Sequence, residues 1–222
     1  MPRPGARLLL ALAGVLLLAA PVAAAPLEIL RADFSVHLDP RLQGLYAAVV
    51  LTLRNNGAAP LEVVELDFPP PLGPQAQVLA AWDRNGQLEW RSDPVEVGSP
   101  RELLVALRRP LRPGKKLVLG LRYELALADS PADTPAVITP RGARLATSGW
   151  YPEPARSSNP LPQKLRLVVR LPKAWRVHSP VAIKQRTTGT ALSHYELEMT
   201  PVRADEELLR AEAPPATGSE EQ

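Results

Sequence analysis

The stretch Gly44-Leu45-Tyr46-Ala47-Ala48-Val49-Val50-Leu51-Thr52-Leu53-Arg54 decides the fold. Leu45, Ala47, Val49, Leu51 and Leu53 share one face of an extended chain, and Tyr46, Ala48, Val50 and Thr52 share the other. Period-two alternation is a strand pattern, because successive side chains of a strand point to opposite sides. Both faces are largely apolar, so a central position is expected. Asn55-Asn56-Gly57 closes the strand with residues that tolerate positive φ.

The same pattern recurs on either side. Phe34, Val36 and Leu38 alternate ahead of Asp39-Pro40, and a strand over 61–68 stops at Pro69-Pro70-Pro71. Residues 77–83 and 87–91 read as a hairpin around Asp83-Arg84-Asn85-Gly86. Leu103, Val105 and Leu107 precede a turn at Arg112-Pro113-Gly114-Lys115, where Pro presets φ and Gly takes the left-handed position. Leu117, Leu119, Leu121 and Tyr123 line the next strand, and Leu165, Leu167, Val169 and Leu171 a later one. Shorter strands are expected over 144–150, 175–179, 181–186 and 191–199. Residues 129–140 and 151–162 are proline-rich and read as loops, and 205–211 as a short helix or strand. Many short strands with regular turns indicate an all-β, antiparallel β-sandwich. It is preceded by a signal-peptide helix and followed by a disordered tail. The expected divisions are 1–24 signal peptide, 26–210 one sandwich domain and 211–222 tail.

Export is read from the N-terminus. Arg3 and Arg7 supply positive charge, Leu8 to Ala20 is apolar, and Pro21-Val22-Ala23-Ala24-Ala25 offers a breaker and small residues. That is a cleavable secretory signal, cut after Ala24. The apolar run is shorter than the ~20 residues a spanning helix needs. No stable membrane span is expected after cleavage, and the protein should be periplasmic or secreted. Losing two Arg leaves 24 basic against 23 acidic residues. No basic stripe interleaves with aromatics, so no nucleic-acid partner is expected. Arg108-Arg109 and Lys115-Lys116 flank a turn and read as solvated charges.

The 222 residues include no Cys, which rules out disulfides and thiolate chemistry. None of His37, His178 and His194 begins a His-Glu-x-x-His zinc motif, and no Gly-x-Ser-x-Gly elbow occurs. No catalytic residue, metal site or cofactor is therefore assigned. Trp150-Tyr151-Pro152 opens a polar, proline-laden loop. Exposed aromatics there would suit a partner surface, so Trp150, Tyr151, Pro152, Glu153 and Arg156 form the candidate partner-binding loop. Two other functions compete. One is a carbohydrate- or envelope-binding module using exposed Trp82, Trp90 or Trp150. The other is a hydrolase with an unrecognised site.

The order of these pieces resembles the N-terminal β-sandwich domain of the aminopeptidase N-like (gluzincin) zinc metallopeptidases. The matching stretches are Asp33 to Pro40, Tyr46 to Gly57, Leu61 to Phe68, the Trp82/Gly86 hairpin, Leu111-Arg112-Pro113-Gly114 before the strand reaching Tyr123, and Trp150-Tyr151-Pro152 before Leu165 to Pro172. The resemblance spans Leu30 to Thr200. In that family a following catalytic domain carries the zinc helix and an exopeptidase motif rich in Gly, Met and Glu. Neither motif occurs in this sequence. Family members can also lend a Gln or Glu that binds the substrate's free amine near the region of residues 147–156. Glu153 is the acid there, but its surroundings depart from the family motif and the role is not carried over. The resemblance implies a fold and an ancestry, with a separate catalytic chain or another envelope protein as partner, and not peptidase activity.

Overall fold

A computed structural model describes residues 27–70, 72–93, 96, 99–128, 131–155, 161–188, 191–201, 203 and 206–215, without the side chains of 185–188. The expected signal peptide lies outside them. Among the described residues no helix is long and apolar enough to cross a membrane.

The strands are β1 (Leu27–Asp39), β2 (Gly44–Asn55), β3 (Leu61–Phe68), β4 (Ala76–Asp83), β5 (Gly86–Gln87), β6 (Trp90–Arg91), β7 (Arg101–Leu111), β8 (Lys116–Ala126), β9 (Ala136–Thr139), β10 (Gly142–Ala146), β11 (Glu153–Pro154), β12 (Leu165–Pro172), β13 (Arg176–His178), β14 (Lys184–Thr188), β15 (Leu192–Met199) and β16 (Glu207–Glu212). They form three sheets. The large one has the order β14-β15-β12-β1-β2-β8-β4-β5, and two four-stranded sheets have the orders β13-β16-β10-β9 and β11-β3-β7-β6. The fold is all-β and mostly antiparallel. The exception is β1 with β12, which run parallel with Phe34 opposite Leu167. A parallel pair needs a long crossover, and the chain between these two strands supplies it.

Alternation explains how the sheets stack. On β2, Leu45, Ala47, Val49, Leu51 and Leu53 are buried, as are Leu119, Leu121, Tyr123 and Leu125 on β8 and Leu165, Leu167, Val169 and Leu171 on β12. Both small sheets contribute to the same core, through Leu66, Phe68, Leu103 and Val105 on one side and Ile138, Leu145 and Leu209 on the other. Phe68 of β3 meets Tyr123 of β8 edge-on at 5.1 Å. The opposite face of the large sheet is open. Tyr46 and Val50 are exposed there, and Ala48 and Thr52 half-buried. So β2 is central, between β1 and β8, but only one of its apolar faces is covered.

Several segments depart from expectation. The expected hairpin at Asp83–Gly86 forms, with Trp82 opposite Gln87. Its second arm then leaves the large sheet, and Trp90 pairs with Val105 in a small one. Residues 136–139 make a strand inside an expected loop. The flanking prolines hid a short alternation in which Ala136 and Ile138 are buried. The expected tail begins later, because Ala211 and Glu212 pair with Ala143 and Gly142. Residues 216–222 lie outside the described ones. At the end of β2, none of Asn55, Asn56 and Gly57 has positive φ. Asn55 is instead fully buried and works through its side chain. It donates to the carbonyls of Ala59 and Leu111, each at 2.8 Å, and accepts from Gly57 N–H at 2.8 Å.

Candidate functional site

The candidate loop lies where the chain crosses from one small sheet to the other. Ala146, at the end of β10, donates its N–H to Pro135 O, and Thr147 donates its own to Glu206 O. The Thr147 hydroxyl donates to Arg203 O. Gly149 has φ +83°, and a Cβ there would lie 2.6 Å from the Pro135 ring, so a side chain is excluded by both conformation and space. Beyond it, Glu153 and Pro154 pair with Asp67 and Leu66 of β3.

This crossing passes directly over the covered face of the large sheet, and that reverses the expectation of exposed aromatics. Trp150 and Tyr151 are both 0 % exposed, and Pro152 is buried with them. Phe34 of β1 packs 4.8 Å from the Trp150 ring and 4.9 Å from that of Tyr151. The Trp150 and Tyr151 rings meet edge-to-face at 5.3 Å. Each polar tip finds a carbonyl one turn back. Trp150 Nε1–H donates to Ala146 O at 2.7 Å and the Tyr151 hydroxyl to Thr147 O at 3.0 Å. Buried Trp and Tyr need such partners. The polarity of residues 151–162 suggested an irregular loop opened by exposed aromatics, but Trp150 and Tyr151 pack their rings against Phe34 of the large sheet. Arg156 lies outside the described residues.

Glu153 is the chemically unusual member. It is half-buried, and its Oε1 accepts the Gly149 N–H at 2.8 Å. No cation pairs with it among the described residues. Burial pushes its carboxyl up to about 7, partly offset by the Gly149 bond. Burial also pushes Tyr151 well above the usual phenol range, with the Glu153 charge adding to the rise. Tyr123 is raised by burial and then by Tyr151, and its hydroxyl has no partner among the described residues.

The indoles offer no shared platform. Trp150 and Trp175 are buried. Trp82 lies against Gly120 on the open face of the large sheet, where a Cβ on the glycine would come within 2.1 Å of the indole. Trp90 is half-buried against the core. Among the described residues no three His, Cys, Asp or Glu side chains are placed to hold a metal ion. His37 lies on the open face, stacked near Tyr46 at 6.3 Å.

No family model and no curated protein matches the chain. Solved structures do match it in fold. An M1 zinc metallopeptidase from Deinococcus radiodurans superimposes with a TM-score of 0.62 at 20% identity, covering 84% of this chain and 42% of that one. A mutant of the Deinococcus radiodurans enzyme gives 0.64 over the same shares. A two-domain M1 zinc metallopeptidase mutant bound to L-tryptophan gives 0.61, over 85% and 43%. The chain thus spans less than half the length of the proteins it matches. This is the family whose N-terminal sandwich the sequence resembles, and at this identity the likeness is one of fold: the chain is built like part of an M1 zinc metallopeptidase, consistent with its N-terminal domain.

Proposed function

We propose that this chain is an exported, non-catalytic β-sandwich that works by binding another protein, as the N-terminal module of a zinc aminopeptidase-like system whose catalytic part is a separate chain. The observation that supports this reading is the likeness in fold to part of an M1 zinc metallopeptidase, at a TM-score of 0.62. The contact residue we favour is Glu153. A half-buried carboxylate without a cation is costly, and a Lys or Arg from a partner would offset that cost.

The test is capture from envelope extract with the tagged mature protein and with its Glu153→Gln variant. Specific recovery of a chain bearing a zinc-peptidase catalytic domain, weakened by the variant, is expected. Repeated recovery of no such chain sinks the reading. The mass of the mature protein checks export, which predicts a start at Ala25.

A further inference from the structure

Three adjoining clefts, of about 560, 340 and 790 Å³, lie at the end of the molecule formed by the β7–β8 and β4–β5 turns. Arg108, Arg109 and Lys116 line the first, Arg84 and Lys116 the second, and Arg109, Arg112 and Lys115 the third. The first and second share Asp83, Asn85, Lys116 and Leu117, and the first and third share Arg109, Pro110 and Leu111. They therefore run together as one groove with six cations, among the described residues, from the β4–β5 turn and the β7–β8 hairpin, all six exposed.

The opposing charge is small. Asp83 lies 3.7 Å from Arg108, and Glu62 lines the far cleft. Arg84, Arg109, Arg112, Lys115 and Lys116 have no ion pair among the described residues. The frame beneath them is held firmly. Gly114, with φ +71°, donates its N–H to Asn55 O at 2.7 Å, and Asn55 N–H donates to Lys115 O at 3.1 Å. The Asn55 side chain holds the Leu111 carbonyl. Arg108 is fixed to Gln87 O at 2.5 Å. Such a frame lowers the ordering cost of binding.

We propose that this groove binds a linear chain of phosphate groups that carries no bases. Arginine forks match phosphate oxygens two at a time, and cations spaced along a groove suit charges repeated along a polymer. Among the described residues no aromatic side chain lines the three clefts, so they offer no stacking platform of the kind that single-stranded nucleic acid uses. A concave groove also favours a chain that can enter it over a flat lipid surface. The site is independent of the peptidase-like reading.

The test measures binding of inorganic polyphosphate to the full mature protein by calorimetry across a salt series. Single-stranded DNA of equal charge and phosphatidylglycerol vesicles are the competing probes. Polyphosphate should bind at ~0.15 M salt and weaken steeply as salt rises, through counterion release. The double variant Arg109→Glu/Lys116→Glu should lose at least roughly tenfold in affinity, and Lys164→Glu/Lys173→Glu, exposed cations outside these clefts, less than about threefold. If the first variant fails to fold by circular dichroism, Arg109→Gln/Lys116→Gln replaces it and should still lose several-fold. No polyphosphate binding at that salt overturns the proposal. So does an equal loss in both variants, or tighter binding of the DNA or the vesicles.

Discussion

The corner around Trp150 and the tip around Arg112 are both turns in which Gly has positive φ and side chains hold backbone carbonyls. They differ in what the hold accomplishes. At the corner, Trp150 and Tyr151 bury their rings and satisfy their own polar tips on Ala146 and Thr147, so the turn closes the core. At the tip, one buried amide, Asn55, organises the turn from below, and the side chains above it stay in solvent. A fixed backbone can thus serve cohesion or presentation. The side chains it carries decide which.

The sharpest way to break the corner is Trp150→Ala. Removing a fully buried indole that contacts Phe34 and Tyr151 should cost about 3–5 kcal/mol, read as a lower urea midpoint with an unchanged slope. The second test uses the acid. In the folded protein Glu153 lies above its ordinary carboxyl value, at about 7 against 4.5. The folded protein therefore holds a proton that the unfolded chain has released, and its stability falls as pH rises between those values. The loss should be on the order of 3 kcal/mol by pH 8. Glu153→Gln keeps an acceptor for Gly149 N–H and should flatten that slope, leaving the variant more stable than the parent at pH 8. An unchanged slope in thermal melts from pH 5 to 8 would rule this account out.

Asn55→Ala probes the tip in the same way. It leaves the Leu111 and Ala59 carbonyls and the Gly57 N–H without their partner and should cost about 2 kcal/mol. Faster hydrogen exchange should follow at Gly114 and Lys115, with little change around Trp150. The smallest effect is Gly114→Ala. Nothing lies within 4 Å of the added Cβ, so only the left-handed conformation opposes it, at about 1 kcal/mol. A much larger loss at Gly114 would mean that the tip is packed like the corner.

Strand positions were readable because a covered sheet face writes its period into the chain. Leu45 to Leu53, Leu117 to Tyr123 and Leu165 to Leu171 each alternate, and each is a strand with that face buried, Leu117 at its end only partly so. The turn at Arg112–Lys115 was readable because Pro presets φ and Gly admits the left-handed region, both local properties. Asn55 was misread for a related reason: its residue type suits a positive φ, whereas its role depends on the carbonyl of Leu111, far along the chain.

The candidate site was less legible. Residues 151–162 have the composition of a loop, and nothing local shows that Phe34 packs against Trp150 and Tyr151. Four cations of the groove, Arg108, Arg109, Lys115 and Lys116, read as solvated charges beside a turn, and Arg84 joins Lys116 only through the pairing of β4 with β8. Local order could establish that the chain makes β structure, where most strands run, and that it lacks the zinc motif, because alternation, turn chemistry and contiguous motifs are properties of neighbours. The parallel pairing of β1 with β12, the burial of Trp150 and the gathering of cations at one tip were decided by contacts between distant segments. Those follow from which faces pack together, and that depends on the assembled chain.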